Sequence, residues 1–339
     1  MGCICGSQVV LCNLPIRFDT YKGCAHGCRY CFAQKKQNIA KISKYNTVDS
    51  LRSFIQGKRN DTTNWCDWNI PIHWGGMSDP FQPIEKKFRH SYECLKVLAE
   101  SKYPFVVSTK GRLVAEPEYL DLLAKCNCVV QVSMVCSKYD QLEKGCPSYE
   151  ERLEIVSKLA KRVQRVIVRI QPYMVEAFDD VMNNIPRLAA AGVYGVVLEG
   201  MKFYKGKTGM VKIGGDHCYP LPALRRDFEA IRAECHRHGM KFYSGENRLR
   251  AMGDDMCCCG IDGLPGFKGN DYNLCMLLNG KKPNPTEAMK QVGTAGAFKS
   301  LNQSAGSNKK ISKQSFYGIM QEELSEKLDY YKKVFGNTE

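Results

Sequence analysis

The stretch "SYEERLEIVSKLAKRVQRVIVRIQP" (Ser148–Pro172) contains one complete helix-to-strand unit, which indicates how most of the chain folds. Ser148 is a helix N-cap, and Glu151 completes a capping box, in which the two residues satisfy each other's backbone N–H groups. Apolar residues then follow at helical spacing, at Leu153, Val156, Leu159 and Val163. From Arg165 the chain is almost continuously apolar, which is typical of a strand buried on both faces of a parallel sheet.

The same alternation extends on both sides of this unit. Short apolar runs predict strands within Ile16–Tyr21, Asn69–Gly76, Tyr103–Lys110, Cys128–Val135, Arg165–Pro172, Val193–Gly200 and Met240–Ser244. Helices are predicted between them: one runs from Glu85 through Leu98, and Pro117 and Pro222 can each open another. Strands separated by helices pair in parallel. We therefore expect an α/β fold, a partial or complete (β/α) barrel of about six units with its chemistry at the carboxyl ends of the strands.

The composition limits the class of protein. The chain has 339 residues, 44% of them hydrophobic and 25% charged, which is enough apolar material for a large core. It has no apolar run of about 18 residues and no signal-peptide pattern, so we expect neither a membrane segment nor export. The 18 cysteines are therefore expected in the reducing cytoplasm, as buried thiols or metal ligands.

The formal net charge of +14 favours an acidic partner, and nucleic acid is the commonest. A generic basic enzyme surface would give the same charge. Along the chain, the composition predicts a cysteine-containing N-terminal segment, the barrel core, a cysteine-rich extension, a basic flexible linker and an amphipathic C-terminal helix. Their ranges are 1–15, 16–250, 251–280, 281–313 and 314–339.

Three cysteines follow the first predicted strand, in "YKGCAHGCRYC" (Tyr21–Cys31). Cys24, Cys28 and Cys31 have the spacing C-x3-C-x2-C. A structural zinc normally takes four ligands, and His26 lies in the same tight loop, where it is not expected to reach the same ion. A thioredoxin-type couple needs only C-x-x-C in another fold context. An iron–sulfur cluster fits best, because three thiolates leave one of its irons open to a substrate or cofactor.

The stretch "GCAHGCRYCFA" resembles the cluster loop of the radical S-adenosylmethionine (SAM) enzymes, including the aromatic residue before the last cysteine, here Tyr30. The resemblance extends to about Tyr204. It is strongest for the branch of spore photoproduct lyase and proteins described as DNA repair photolyases, through "FDTYKGCAHGCRYCFA", "GGMSDPFQPIEKKFR", "VVSTKG" and "PSYEERLE". It implies that Cys24, Cys28 and Cys31 hold a [4Fe–4S] cluster that binds SAM.

In that family, the reduced cluster cleaves SAM to methionine and a 5′-deoxyadenosyl radical, which takes a hydrogen atom from the substrate. The resemblance therefore implies an enzyme of lyase or transferase type with an external one-electron reductant, such as a flavodoxin or a ferredoxin. The substrate is unknown. The charge and the branch favour nucleic acid, and a peptide is the competing class.

A glycine-rich segment, "HWGGMSDP", ends the second predicted strand. In the wider family a Gly-Gly-Glu-type segment at this place binds the SAM amino group. Here Gly75 and Gly76 are followed by Met-Ser-Asp, and the resemblance to the photoproduct lyase branch implies that Ser78 and Asp79 do this work. The alternative is a tight strand-to-loop turn in which Asp79 fixes Pro80.

Four further residues on predicted strands are candidates for SAM binding. The resemblance implies that Lys110 pairs with the SAM carboxylate, that Ser133 reaches the ribose or the methionine part, and that Gly195 lies in the adenine-binding segment. Arg169 is expected in an otherwise apolar barrel, where a buried arginine needs an anionic or polar partner. The alternatives are an exposed lysine, a structural serine, an internal ion pair of Arg169 with Glu199, and ordinary packing at Gly195.

The cysteine-rich extension could hold a second iron–sulfur cluster, as many radical SAM enzymes do in such extensions. Its spacing does not match the family's usual auxiliary motif, and adjacent cysteines do not easily ligate one cluster. The candidate ligands are Cys257, Cys258, Cys259 and Cys275, with Cys218 or Cys235. Cys3, Cys5 and Cys12 could be ligands too or ordinary thiols. A different class of function also stays open: a zinc-stabilised, non-catalytic protein that binds nucleic acid.

Overall fold

An eight-stranded, mostly parallel sheet forms the centre of the protein in a computed structural model of the chain. The structure describes residues 4–6, 8–206, 208–213, 216–296, 298, 311–322 and 324–336. The strands in chain order are β1 Cys5–Gly6, β2 Ile16–Phe18, β3 Tyr21–Lys22, β4 Ser43–Lys44, β5 Ile72–Trp74, β6 Phe105–Thr109, β7 Cys128–Ser133, β8 Arg165–Tyr173, β9 Gly195–Gly200, β10 Val211–Ile213, β11 Asp216–Cys218 and β12 Lys241–Ser244. No helix among the described residues has the length and hydropathy needed to cross a membrane.

The main sheet has the strand order β1-β2-β5-β6-β7-β8-β9-β12. Every neighbouring pair is parallel except β1 with β2. In the described part of the chain β12 does not pair with β1, so the sheet is a barrel that remains open along one seam. The predicted α/β fold with alternating strands and helices is confirmed. All carboxyl ends of the parallel strands therefore meet at one edge, where this architecture places its chemistry.

Helices α1 to α7 lie between the strands, as the periodicity predicts, and α8 to α11 follow the last strand. Their bounds are α1 Val48–Ile55, α2 Glu85–Phe88, α3 His90–Ser101, α4 Pro117–Leu123, α5 Tyr149–Ala160, α6 Phe178–Ala190, α7 Leu221–Arg237, α8 Leu274–Leu278, α9 Glu287–Lys290, α10 Phe316–Glu322 and α11 Leu324–Gly336. The capping box of Ser148 and Glu151 is present at the start of α5, and Pro117 opens α4.

The helix expected from Glu85 through Leu98 is divided into α2 and α3. Arg89, between them, has a left-handed backbone with φ of 47°. The cause is the fully buried carboxylate of Glu85, which accepts hydrogen bonds from the backbone N–H groups of Ser91 at 3.0 Å and Tyr92 at 2.8 Å. Glu85 therefore caps α3, which forces a new helix start in place of a continuous helix.

Two apolar clusters occupy the two faces of the sheet. The larger packs the helices against the outer face, with α5 contributing Ile155, Val156 and Leu159. The smaller lies inside the barrel and includes Cys257 and Cys259 from the cysteine-rich extension. The extension therefore fills the barrel interior and does not stand apart from the core.

The segment predicted as a flexible linker, 281–313, is described in part. Within it α9 forms, and Met289, Ala295 and Phe298 are buried. The Phe298 ring packs at a tilt of 59° against that of Phe316 in α10, in the predicted C-terminal helical region. The described part of this segment therefore packs on the core. The prediction of flexibility stays open for 299–310, which lie outside the described residues.

Candidate metal centre and cofactor site

The loop that carries the three cysteines is anchored from several directions. It connects β3 with a short 3₁₀ helix, Phe32–Lys35. The backbone N–H of Cys24 donates to the carbonyl of Ile39 at 2.8 Å, and that of Arg29 donates to Leu142 at 2.9 Å. The side chain of Gln82 accepts from the Ala25 amide at 2.8 Å. The loop is thereby held at the carboxyl edge of the barrel, next to the segments that follow β5 and β7.

A fourth thiol joins this loop. The Sγ atoms of Cys28 and Cys146 lie 3.7 Å apart. The hydrogen bond from the Cys146 thiol lowers the pKa of Cys28 despite burial, and the charges of Lys110 and His26 act in the same direction. The same contact and burial raise the pKa of Cys146. Cys28 is therefore the thiol of this group that ionises most readily.

The other two loop cysteines, Cys24 and Cys31, hold their protons more tightly than Cys28 does. Burial raises the pKa of Cys24 to about 12, with the nearby Asp79 charge acting in the same direction. Burial also raises the pKa of Cys31. Each of them senses the charge of Cys28, so the three sulfur groups lie close together.

The donor set of the loop is of the kind that iron–sulfur clusters take. Thiolates are the usual ligands of such clusters. Cys24, Cys28 and Cys31 would supply three of them, which leaves one iron of a four-iron cluster open. No group of three or more His, Cys, Asp or Glu side chains among the described residues is arranged to hold a single metal ion.

Glu143 connects three residues around this loop. It is 2% exposed and accepts a short hydrogen bond from the Tyr30 hydroxyl. The Lys110 ammonium lies 3.8 Å from its Oε1, and the guanidinium of Arg152, itself fully buried, lies 2.5 Å from its Oε2. Burial raises the pKa of Glu143 to about 7, although Arg152 opposes this. The predicted residues Tyr30 and Lys110 are thus brought together by a carboxylate that no sequence motif indicated.

Asp79 is fully engaged within the protein. Its Oδ1 accepts from the Thr109 hydroxyl and the Phe81 amide, both at 2.8 Å, and its Oδ2 accepts from the Lys110 amide at 2.6 Å. The His26 Nε2 atom lies 3.2 Å from Oδ2. Burial opposes ionisation, but His26 and these donors hold the pKa of Asp79 below its ordinary value. Its contacts fix the ends of β5 and β6 against the cysteine loop.

The rest of the glycine-rich segment also binds this loop. The Ser78 hydroxyl donates to the carbonyl of Gly23 at 2.5 Å. Gly75 has a φ of 88°, and a Cβ atom there would lie 2.4 Å from the Ser108 carbonyl oxygen, so only glycine fits. A Cβ on Gly76 would meet nothing closer than the Arg17 side chain at 3.8 Å. Gly76 is therefore the position in this segment where a ligand could approach the backbone.

A polar layer crosses the barrel interior around Arg169. The sequence had predicted an apolar interior there. The Arg169 guanidinium donates to the Gln131 Oε1 atom at 2.8 Å and also to Gln171. Gln171 in turn donates to Glu199 at 2.6 Å, so an amide bridges Arg169 and Glu199, the two residues that the alternative reading paired directly. The layer continues through Ser108, His73 and Arg17.

The remaining two predicted residues differ in their placement. Ser133 ends β7, beside Arg169 in the parallel register, and its carbonyl accepts from Arg152 at 2.9 Å. Gly195 begins β9, so it lies toward the amino end of that strand and not at the carboxyl edge. A Cβ there would lie 2.7 Å from the Lys241 carbonyl, which matches the packing alternative. The structure brings the other predicted residues to one edge but leaves Gly195 below it.

Sequence reasoning missed Cys146, Glu143, Arg152 and Asp19. Cys146 and Glu143 lie in a loop after β7, where no spacing linked them to the cysteine loop. Asp19 accepts from the backbone amides of Met77 at 3.0 Å and Ser78 at 3.2 Å. For Asp19 the available signal was its position directly after β2, since residues that follow the parallel strands meet at the carboxyl edge.

The fold defines an open, partial (β/α) barrel whose carboxyl edge carries a three-cysteine loop. No family model matches the chain. An uncharacterized protein of Mycobacterium tuberculosis is 24% identical over 211 residues, which cover 58% of this chain and 61% of that protein. An uncharacterized protein of Methanocaldococcus jannaschii is 25% identical over 175 residues, covering 48% of this chain and 61% of that protein. The matched part of the chain thus spans 61% of the length of these curated relatives.

Solved structures identify the fold. Spore photoproduct lyase complexed with dinucleoside spore photoproduct superposes with a TM-score of 0.56 and 15% identity, covering 68% of this chain and 76% of that one. A variant of that enzyme with bound AdoMet and dinucleoside spore photoproduct gives a TM-score of 0.55 at 15% identity, with the same coverage. The chain has the partial radical SAM barrel fold of spore photoproduct lyase, which confirms the fold that the resemblance implied.

Proposed function

We propose that this protein is a radical SAM enzyme in which Cys24, Cys28 and Cys31 hold a [4Fe–4S] cluster. The observation that carries the proposal is the anchoring of this three-thiol loop at the carboxyl edge of a barrel with the fold of spore photoproduct lyase. When bound, the cluster and SAM would supply one-electron cleavage of SAM and hydrogen abstraction from a substrate. An external flavodoxin- or ferredoxin-type reductant, in a reducing cytoplasm, belongs to the same proposal.

The chain's own residues would prepare the site. The Lys110 ammonium lies 3.8 Å from Glu143 and its charge lowers the pKa of Cys28, so it can stabilise the Cys28 thiolate and pair with the SAM carboxylate. Gly76 leaves its backbone open to the SAM amino group. Arg169 and Ser133 lie side by side on neighbouring strands, where they can donate to the ribose or the carboxylate. Ser78 and Asp79 would act through positioning, since they bind the loop itself.

The substrate class that the surface favours is nucleic acid. No acidic residue occurs between Thr20 and Val48, a range that contains the cysteine loop. Its basic residues are all exposed: Lys22, Arg29, Lys35, Lys36, Lys41 and Lys44. Phe32 and Tyr204 add exposed aromatic rings, 49% and 46% accessible, and the Lys35 ammonium stands over the Tyr204 ring. Cations with interleaved aromatic rings suit a phosphate backbone and unstacked bases.

The test of the central reaction is anaerobic reconstitution with iron and sulfide, followed by a SAM-cleavage assay with dithionite. We expect 5′-deoxyadenosine from the wild type and none from Cys24→Ala, Cys28→Ala or Cys31→Ala. Cys235→Ala, which changes a buried thiol of α7, serves as the matched control and should keep the activity. Undiminished SAM cleavage in any of the three loop variants would refute the assignment. A colourless protein with stoichiometric zinc would favour the non-catalytic alternative.

The test of the substrate class is the salt dependence of binding to single-stranded DNA and RNA oligonucleotides. The double change Lys35→Glu/Lys36→Glu should weaken binding and lower the slope of log Kd against log salt by about 1–2. Lys158→Glu/Lys161→Glu, on the α5 side of the protein, is the control with the same change of charge. Equal binding by all three proteins would speak against this surface and for a peptide or small molecule.

A further inference from the structure

Five cysteines from three separate parts of the sequence meet inside the barrel, below the polar layer. Cys257 and Cys259 belong to the interior apolar cluster, and Cys12 and Cys258 pack against it. Cys275 is 2% exposed and lies close enough to Cys258 and Cys12 to sense their charges. This group is separate from the loop at the carboxyl edge of the barrel.

Long-range contacts bring these thiols together. The Leu274 amide donates to the Val10 carbonyl at 2.7 Å, and the Asn270 amide donates to the Asn13 carbonyl at 2.7 Å. The Asn13 side chain donates to Asp271 at 2.9 Å. The N-terminal segment and the residues before α8 are therefore fastened to each other on both sides of Cys12.

The triple-cysteine turn is fixed from the barrel side. The Gln131 side chain, which also binds Arg169, donates to the carbonyl of Cys259 at 3.2 Å. The next residue, Gly260, has a φ of 70°, and a Cβ there would lie 2.7 Å from the Ile167 side chain. Glycine is therefore required for the turn to enter the barrel, and the strands hold it in place.

A buried arginine is directed at this group. Arg250 is 6% exposed, and its Nε atom has no hydrogen-bond partner among the described residues. Its Nη2 atom donates to Asn247 at 2.9 Å, and its guanidinium lies within reach of the thiols of Cys258 and Cys275. A second guanidinium, that of Arg17, approaches the Cys12 sulfur at 3.7 Å.

Neutral thiols do not offset the positive charges of the Arg250 and Arg17 guanidinium groups. A buried guanidinium costs several kcal/mol unless an anion lies beside it, and Arg250 has no ion pair with a carboxylate among the contacts that the structure gives it. Four thiolates around an iron–sulfur cluster carry net negative charge in one compact group. The Glu199 carboxylate senses the Arg250 charge, but no carboxylate pairs with Arg250 directly, so the negative charge of a cluster would stabilise this guanidinium.

We propose that Cys12, Cys258 and Cys275, with Cys257 or Cys259 as the fourth ligand, hold a second iron–sulfur cluster beside Arg250. Soft thiolate ligands select iron–sulfur clusters, zinc or cuprous ions. Cys218 lies beside Arg248 and Glu246, and Cys235 beside Asp254, so neither belongs to this group.

The test uses the triple variant Cys24→Ala/Cys28→Ala/Cys31→Ala of the full chain, reconstituted anaerobically with iron and sulfide. We expect about four irons and four sulfides per chain in this variant, against about eight in the wild type, with the broad visible absorption of a cluster. Adding Cys12→Ser or Cys275→Ser should remove the remaining iron. Adding Cys235→Ser, the matched buried thiol, should leave it.

Two results would overturn the proposal. One is an iron-free triple variant from a wild type that binds about four irons. The other is tightly held zinc with no sulfide. Arg250→Gln provides a test that does not depend on removing a ligand: loss of the neighbouring positive charge should lower the reduction potential of the second cluster and leave the iron content unchanged. An unchanged potential would also contradict the assignment, because Arg250 would then not face the cluster.

Discussion

The Sγ atom of Cys146 lies 3.7 Å from that of Cys28, although 118 residues separate the two in sequence. The thiol of one stabilises the thiolate of the other, which lowers the pKa of Cys28. The loop after β7 thus contributes directly to the chemistry of the cysteine loop after β3.

Removing Cys146 should therefore change how Cys28 ionises. In metal-free protein, the rate of Cys28 alkylation by iodoacetamide should reach half its maximum near the lowered pKa. In Cys146→Ala the midpoint should move upward by about 1–3 pH units, toward an ordinary thiol. The measurement is the pH profile of modification at Cys28 by mass spectrometry, with Cys136→Ala as the control. Identical profiles for wild type and Cys146→Ala would show that the contact does not set the ionisation.

Gly145 should be essential for the loop to dock. A Cβ atom there would lie 2.6 Å from the carbonyl oxygens of both Ala25 and His26, which are backbone atoms that cannot rotate away. We expect Gly145→Ala to displace the cysteine loop and to reduce SAM cleavage at least tenfold. Gly318→Ala adds the same methyl group in α10, against a movable serine hydroxyl at 3.2 Å, and should retain activity. Comparable activities in the two variants would mean that the loop tolerates the displacement.

The pair of Glu143 and Arg152 should be strongly coupled, since both side chains are almost fully buried. Glu143→Gln leaves Arg152 without its nearest charge and should lower the free energy of unfolding by about 3–5 kcal/mol. The double variant Glu143→Gln/Arg152→Met should recover part of this loss. The control is Glu118→Gln, which breaks the exposed pair with Arg89 and should cost under about 1 kcal/mol. Additive effects in a double-mutant cycle would refute the coupling.

Asp19 should make stability depend on pH. Burial raises its pKa to about 7, against 3.8 for an ordinary aspartate, although the amides of Met77 and Ser78 oppose the shift. The folded state therefore holds the proton more tightly than the unfolded state. The stabilising contribution is complete below about pH 4 and is lost as the pH rises toward about 7.

The substitution Asp19→Asn keeps an oxygen acceptor and removes the titration. The thermal midpoint of the wild type should fall relative to Asp19→Asn between about pH 4 and 7, corresponding to at most about 4 kcal/mol, and should stay level above about pH 7. Asp49→Asn, at an exposed carboxylate on α1, should give no such difference. Parallel pH profiles of wild type and Asp19→Asn would contradict the raised pKa.

Local patterns predicted much of the fold because they act over a few residues. The capping box at Ser148, the proline at the start of α4 and the apolar strand runs each depend on neighbours within one or two turns, and the structure contains all three. The division at Arg89 was not predictable in this way. It depends on Glu85 being buried, which is a consequence of packing.

The residues of the candidate site likewise fall into those that local patterns predicted and those that depend on packing. Spacing alone identified Cys24, Cys28 and Cys31, and the alternation of strands and helices put them at the carboxyl edge of a barrel. Gly195 shows the limit of arguing from a resemblance, because the predicted strand Val193–Gly200 already placed it near the amino end, where it packs closely against Lys241.

The sequence by itself determined the alternating barrel architecture and the three-thiol loop. The first follows from the periodicity of apolar residues, and the second from the short spacing of three cysteines. Only the tertiary structure decided that Cys146 meets Cys28, that Glu143 meets Arg152 and Lys110, and that Cys12 joins Cys258 and Cys275. These partners come from separate units of the chain. Parallel strands bring such units to a common edge or interior only once the whole sheet has formed. No local sequence pattern can therefore predict these contacts.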